Sequence, residues 1–229
     1  MLLSFLFLVA AALIPPLCLT WGVRRMDRLE PEPKRLCWGL FLRGALGMVP
    51  ILILELIAER FAEGFAWYPL LYLFLSYFVI PGFIEEGVKY RILVRRVWDE
   101  RAFDHRFDAV VYAVFVSLGF AAIENVLYVC TSGLSTAIVR ALFSIPGHAM
   151  FGIVMGVCLA RAKWLALGGQ HQAAQAALRR TWVLPAVLHG AYDFLLVGFG
   201  WVFYVYFVVL VVCVVRLLKR SAREDGPII

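Results

Sequence analysis

The chain has 229 residues, of which 63% are hydrophobic and only 17% are charged. This composition excludes an ordinary soluble domain and predicts an all-α, polytopic membrane protein. The formal net charge of +6 does not indicate nucleic-acid binding, because the basic residues lie at the ends of apolar stretches rather than on one face of a soluble module. The five cysteines have neither the spacing of a disulfide framework nor that of a thiolate metal site.

In chain order, the apolar stretches predict about seven membrane-spanning helices in a single integral domain, residues 1–229. The first stretch lacks the basic residues that precede the apolar part of a cleaved signal peptide, so we expect it to remain as the first helix. The stretch from Trp182 to Leu218 is too long for one span, and we divide it at Gly198 and Gly200. The predicted spans are 2–23, 36–57, 65–94, 108–128, 140–160, 181–197 and 200–218, followed by a flexible tail, 219–229.

The connections between the spans carry their own signals. Pro31 and Pro33 separate the first two helices, since proline cannot continue a helix from within. Asp108 is expected to cap the fourth span, and the Gln/Ala-rich segment within 161–180 to form a surface helix.

The basic residues predict the orientation of the bundle. With seven spans and an outside N-terminus, 18 of the 22 Lys and Arg residues fall in the segments assigned to the cytoplasm. The exceptions are Arg43, Arg60, Lys89 and Arg140. This asymmetry predicts a cytoplasmic C-terminus.

An acidic pair in the third span is the clearest functional signal. Glu85, Glu86 and Lys89 follow twenty uncharged residues, at a position where a helix is still crossing the lipid. Ionisable groups inside spans are costly and usually face a protein interior or a wet cavity. Pro81 and Gly82 come just before them and are expected to kink the helix and direct the glutamates inward.

Three more spans contain buried polar candidates. In the fourth span, Phe120, Glu124 and Tyr128 share one helix face, and Asn125 follows Glu124; the plainer interpretation makes Glu124 a structural partner of Arg43 or Lys89. His148 follows Pro146 and Gly147 in the fifth span, and a lone histidine there is more often a hydrogen-bonded core residue than a ligand. In the sixth span, His189 and Asp193 are four residues apart, a spacing suited to metal binding or to a carboxylate that orients an imidazole.

Because each of these groups would be costly against lipid, we expect them to converge on one water-filled pocket. Two histidines with carboxylates suit zinc, and a further glutamate could act as a general base toward water, so the pocket could hydrolyse a peptide bond. The HExxH motif of soluble zinc proteases is absent from the sequence. His105 and His171 fall in predicted loops and receive no catalytic role.

Taken together, these motifs resemble the PrsW family of membrane-embedded proteases, relatives of the CAAX prenyl endopeptidase and bacteriocin-immunity superfamily. The resemblance begins with Asp27 and the Glu-Pro loop before the second span. It continues, in order, with the EExxK motif (Glu85, Glu86, Lys89), the FxxxEN motif (Phe120, Glu124, Asn125), the Pro-Gly-His-Ala segment that contains His148, and the HxxxD motif (His189, Asp193).

The resemblance implies a multi-pass protease of a prokaryotic plasma (inner) membrane that cleaves a single-span membrane protein, in some members an anti-sigma factor. It implies that Glu85 and Glu86 activate the attacking water. His148, His189, Glu124 and Asp193 would bind a divalent metal, with zinc expected, or would orient water and substrate. Lys89, Phe120 and Asn125 would support them.

Two other functions also fit the buried charges. A proton- or cation-coupled transporter would use the same carboxylates and kinked helices, and a silent scaffold would hold them as buried ion pairs. The sequence leaves open the substrate, the need for metal, the identity of the general base and the oligomeric state. From the position of the acidic pair within span three, we expect a site in the inner half of the membrane.

Overall fold

A computed structural model of the chain describes residues 2–27 and 29–228. Within these ranges the secondary structure is helical, and its elements follow one another as α-helices joined by short turns. Arg28, which was counted among the cytoplasmic basic residues, and the last residue of the predicted tail lie outside the described ranges. The helices are α1 (Leu2–Met26), α2 (Lys34–Leu46), α3 (Met48–Ala62), α4 (Pro69–Phe74), α5 (Ile80–Val97), α6 (Asp108–Ser132), α7 (Leu134–Leu142), α8 (Ser144–Leu167), α9 (His171–Gly198) and α10 (Trp201–Arg223).

The predicted fold class is confirmed. In the described part of the chain, seven helical segments are long and apolar enough to cross a membrane. The segments are Phe5–Met26, Lys34–Phe65, Pro69–Val97, Asp108–Ser132, Leu134–Leu167, His171–Gly198 and Trp201–Arg223. The second, third and fifth segments each join two α-helices.

The third segment is irregular just before the acidic pair. A π-helical turn, Leu75–Val79, separates α4 from α5, and Pro81 lies in the first turn of α5. Proline removes one backbone donor and crowds the carbonyl four residues earlier, which explains a break in the regular ladder at this place. In the fifth segment the break falls at Phe143, between α7 and α8, so Pro146 lies within the first turn of α8 instead of kinking its middle.

Two local expectations about the helices need correction. The Gln/Ala-rich segment is not a separate surface helix, because α9 runs without interruption from His171. Asp108 does not cap the first turn of α6; its Oδ2 instead accepts hydrogen bonds from the backbone N–H groups of Asp104 and His105, which precede the helix.

The C-terminal residues 224–228 are also held more firmly than a frayed tail would be. The Ile228 N–H donates to the Asp104 carbonyl (2.7 Å), and the Arg106 N–H donates to the Gly226 carbonyl (3.1 Å). Asp225 Oδ1 accepts from the Phe107 N–H at 2.9 Å. The end of the chain is therefore tied to the loop that precedes α6.

Helix α6 lies at the centre of the bundle and is buried along most of its length, against α1, α2 and α8. Its crossing with α2 depends on two glycines. A Cβ atom on Gly44 would lie 2.0 Å from the Val116 carbonyl oxygen, and one on Gly119 would lie 2.0 Å from the Phe41 carbonyl oxygen. Small residues allow helix backbones to approach closely inside a membrane, where packing and not the hydrophobic effect drives helix association.

We predict that Gly119→Ala destabilises the protein, because the added methyl group cannot be accommodated against the backbone of α2. The free energy of unfolding should fall by about 3 kcal/mol, the upper end of the usual range for overpacking. Gly22→Ala, in α1, is the matched control, because a Cβ atom there meets no neighbour within 4 Å. Thermal unfolding in detergent measures both variants, and equal stability of the two would contradict this packing.

Candidate active site

A buried ammonium group lies between the two glutamates of α5. Lys89 Nζ donates hydrogen bonds to Glu85 Oε2 at 2.9 Å and to Glu86 Oε1 at 2.8 Å. Glu86 is fully buried and Lys89 is 1% exposed. The ammonium also lies 4.1 Å from the centre of the Phe120 ring, a cation–π contact with α6. The EExxK motif therefore forms one compact ionic group.

Two histidines from other helices complete this group. His189 Nδ1, on α9, lies 3.0 Å from Glu86 Oε1, and His148 Nδ1, on α8, lies 3.4 Å from Lys89 Nζ. Donor atoms of Glu85, Glu86, His148 and His189 all lie within 4.8 Å of one another, and all four residues are buried. The ring centres of the two imidazoles are 5.3 Å apart.

The other nitrogen of each imidazole faces a carboxylate. His148 Nε2 lies 2.9 Å from Glu124 Oε2, and His189 Nε2 lies 3.3 Å from Asp193 Oδ2. Glu124 and Asp193 therefore contact the histidines and do not belong to the group of four donor residues itself. Carboxylates in this position are known to fix the orientation and tautomer of histidines that bind metals.

Further contacts hold Glu124 and the histidines in place. Arg140, from the short helix α7, binds Glu124 Oε2 at 2.5 Å and donates to Asn125 Oδ1 at 2.9 Å. Phe151 stacks on the His189 ring with the two centres 4.7 Å apart. Glu124, His148 and His189 are therefore each held by contacts with a helix other than their own.

Glycines bring α5 and α9 close enough for Glu86 to contact His189. A Cβ atom on Gly82 would lie 2.5 Å from the Ala186 carbonyl oxygen, and one on Gly190 would lie 2.3 Å from the Phe78 carbonyl oxygen. Trp182 adds a hydrogen bond from its indole N–H to the Phe83 carbonyl at 3.2 Å. These contacts fix the register between the two helices that carry the EExxK and HxxxD motifs.

A cavity of about 700 Å³ opens onto this group. Glu85, Glu124, His148, His189 and Asp193 line it, whereas Glu86 does not. Apolar side chains make up most of the remaining wall, together with Glu55 and Glu59 of α3. The cavity therefore combines an apolar channel with a polar floor.

The cavity opens toward one end of the bundle. It reaches Thr131 near the end of α6, Arg140 in α7 and Tyr204 near the start of α10, all at the end of the bundle opposite the basic loops. Along α6, Glu124 lies about 12 Å from that end and about 24 Å from the other. The site therefore opens away from the basic side of the bundle, not toward it.

The structure brings together every residue that the sequence singled out for the site. Phe120, Glu124 and Tyr128 all line the cavity, as their shared helix face predicts. The plainer interpretation made Glu124 a structural partner of Arg43 or Lys89. Arg43 is not its partner, because the Arg43 guanidinium donates to the Gly39 carbonyl. His105 and His171 lie outside this group; His105 pairs with Asp104, and His171 is exposed at the start of α9.

Sequence reasoning missed Arg140 as the cation that contacts Glu124. One signal was present: Arg140 is among the four basic residues outside the predicted cytoplasmic segments. It also missed Phe151, because an aromatic residue in an apolar helix carries no signal of its own. Tyr192 was missed too; it lines the cavity, and its hydroxyl is buried without a hydrogen-bond partner in the described structure.

A polytopic helical bundle with glutamates and histidines buried around a cavity is the arrangement of a functional site within the membrane, and the comparison with known families identifies its class. The family described as "PrsW family intramembrane metalloprotease" matches residues 32–217. The chain therefore belongs to the PrsW family, and it is a membrane-embedded protease.

Curated relatives agree with this family. The chain is 33% identical to "Protease PrsW" of Bacillus subtilis (strain 168) over 198 residues, which cover 86% of each protein. It is 35% identical to "Protease PrsW" of Clostridioides difficile (strain 630) over 219 residues, 93% of this chain and 87% of the relative. No solved structure matches the chain. The described part of the chain has seven helical segments that could span a membrane, and its relatives are bacterial. Both findings are consistent with a multi-pass integral membrane protein of a prokaryote.

We predict that Lys89→Met strongly destabilises the protein, because it leaves two buried carboxylates without their cation. Breaking a buried ion pair by removing one partner typically costs about 3–5 kcal/mol. The triple variant Lys89→Met, Glu85→Gln, Glu86→Gln should recover much of that loss, since no buried charge then remains unpaired. Thermal unfolding measures the effect, with Lys219→Met, at an exposed position, as the control.

If Lys89→Met and Lys219→Met unfold at the same temperature, the ammonium is not the cation that balances this pair.

Proposed function

We propose that the protein hydrolyses a peptide bond of a single-span membrane protein, with an anti-sigma-factor-like protein as the expected substrate class. The observation that carries this proposal is the group formed by Glu85, Glu86, His148 and His189 at the floor of an apolar cavity. The cavity could receive an extended segment of a membrane-anchored chain, while its floor supplies the groups that hydrolysis needs.

The donor set fits a divalent metal ion. Two imidazole nitrogens and carboxylate oxygens are ligand types that zinc prefers, and Glu86 Oε2 is buried without a hydrogen-bond partner in the described structure. We assign His148, His189 and Glu86 as the ligands. Glu124 and Asp193, which the sequence pattern also offered as ligands, then orient the two imidazoles from behind.

A bound zinc ion would supply Lewis-acid polarisation and make a water molecule more acidic. Glu85 is the better placed general base, because it lines the cavity and Glu86 does not. Its carboxylate accepts a proton from the water that attacks the scissile carbonyl carbon. The same carboxylate then delivers that proton to the leaving amine nitrogen as the peptide C–N bond breaks.

Lys89 and Arg140 balance the negative charge of the site. Lys89 neutralises the carboxylate pair, and ion binding requires its ammonium to give up the contact with His148 Nδ1. Arg140 keeps Glu124 aligned with His148. The excess of positive charge in the connections at the other end of the bundle supports an orientation with that end in the cytoplasm and the cavity mouth on the outer side. The family assignment does not favour the transporter considered from sequence.

We predict that Glu85→Gln and Glu86→Gln each abolish cleavage of a single-span substrate, because the amide cannot take up a proton from water or bind metal as a carboxylate does. The measurement is the appearance of a cleaved fragment in proteoliposomes, with a panel of single-span proteins as substrates. Glu63→Gln is the matched control, because Glu63 is exposed and pairs only with the exposed Arg60.

Membrane abundance and thermal stability are recorded for every variant, so that loss of folding is distinguished from loss of chemistry. Wild-type cleavage by both Glu85→Gln and Glu86→Gln would overturn the proposal.

A further inference from the structure

A second group of buried carboxylates lies at the opposite end of the bundle from the active site. Asp27 follows α1, Glu32 precedes α2, and Asp108 begins α6. Their side chains are 7%, 3% and 1% exposed, and each offers a carboxylate oxygen within 4.8 Å of the others. About 24 Å along α6 separates Asp108 from Glu124, so the two sites are distinct.

The basic groups described near these carboxylates are bound to other partners. Arg24 Nη2 donates to the backbone carbonyl of Glu32 at 2.9 Å, and Lys163 Nζ donates to the Phe103 carbonyl at 2.7 Å. His105 Nδ1 lies 2.7 Å from Asp104 Oδ1. None of these three cations forms an ion pair with Asp27, Glu32 or Asp108 in the described structure, although Arg24 and His105 lie near enough to lower the pKa of Asp27.

Asp27 gives an independent sign of a missing ligand. Its Oδ2 is buried and has no hydrogen-bond partner among the described residues. Buried polar atoms are almost always satisfied, and a buried carboxylate without a partner costs several kcal/mol. Asp27 also lies beside two other buried carboxylates. A buried oxygen without a partner is expected in such a place if the residue binds a cation.

The donors indicate which cation would bind. Each of the three side chains offers carboxylate oxygen, and the Tyr112 hydroxyl, which lies at hydrogen-bond distance from both Glu32 Oε2 and the Ala102 carbonyl, adds another oxygen at the edge. Sites made of oxygen alone select hard ions such as Mg²⁺ and Ca²⁺ over zinc. We propose that Asp27, Glu32 and Asp108 form a second, non-catalytic site for a hard divalent cation.

The position of this site explains what the cation would do. It joins the turn after α1 and the start of α2 to the start of α6. The loop before α6 is also where the C-terminal residues attach, through Asp225 and Ile228. A cation here would fasten these segments of the chain at one end of the bundle.

Protons compete with the cation for the same oxygens. Burial, together with the nearby Asp108 carboxylate, raises the pKa of Glu32 to about 9, and burial also raises the pKa of Asp27. The groups that face Glu32 are Arg24, Asp27, Cys37, Asp108 and Tyr112. A cation that binds here must therefore displace a proton from Glu32.

The test uses Tb³⁺, a hard cation whose luminescence a nearby tyrosine can sensitise, on the full chain in neutral detergent. We expect saturable luminescence that Ca²⁺ or Mg²⁺ displaces, and at least a tenfold loss of affinity in Asp27→Asn. The amide has nearly the shape of the carboxylate, so this change removes the charge of Asp27 while the side chain keeps its size, and Asp27 Oδ2 has no hydrogen-bond partner to lose in the described structure. Asp99→Asn, at an exposed position on the same side of the bundle, should bind as the wild type does.

His189→Ala separates this site from the active site. We expect it to keep wild-type Tb³⁺ affinity, whether or not the protease mechanism proposed above is correct. Three results would each overturn the second site: no saturable binding by the wild type, equal affinity in Asp27→Asn and the wild type, or binding lost in His189→Ala but kept in Asp27→Asn.

Discussion

The contact between the Lys89 ammonium and the carboxylates of Glu85 and Glu86 is the interaction on which the rest of the site depends. Two adjacent negative charges could not remain buried within a membrane bundle without a cation at hydrogen-bond distance. Once this group is formed, its further hydrogen bonds can be made only with other helices. His189 of α9 contacts Glu86 Oε1, and His148 Nδ1 of α8 accepts from the Lys89 ammonium, so the cost of burying charge dictates which helices meet at the site.

The same requirement explains the close helix crossings. Polar side chains of ordinary length meet across two helices only if the backbones approach closely, and Gly82 and Gly190 permit this between α5 and α9. Membrane helices gain little from hydrophobic attraction to one another, so such packing and the polar contacts it allows hold the bundle together. The glycines at this crossing are therefore needed for the polar residues of the site to meet.

Much of this could be predicted from sequence, because lipid makes the signals strong. Seven spans follow from the length of the apolar stretches, and convergence of Glu85, Glu124, His148 and His189 follows from the cost of exposing them to lipid. The contacts that could not be predicted depend on how the helices pack in three dimensions. Arg140 contacts Glu124 because the turn at Gly133 brings α7 back beside α6, and the spacing of Arg140 and Glu124 in the sequence does not predict that approach.

The direction in which the cavity opens could not be predicted for a related reason. Position along span three suggested the basic side, whereas the cavity is bounded by the far ends of α6 and α9. A single helix fixes the depth of its own residues but not the direction in which a pocket opens. The ordered tail and the group around Asp27 likewise depend on contacts between distant parts of the chain, which periodicity cannot reveal.

Metal analysis of the purified protein tests the assignment of the active site most directly. Zinc per chain would be measured for the wild type, His189→Ala and Asp193→Asn after dialysis against a defined free zinc concentration. We expect near-stoichiometric zinc in the wild type, none in His189→Ala, and about 10- to 100-fold weaker binding in Asp193→Asn, which loses only the group that orients the imidazole. Equal zinc content in the wild type and His189→Ala would contradict the assignment of the buried Glu/His group as the metal centre.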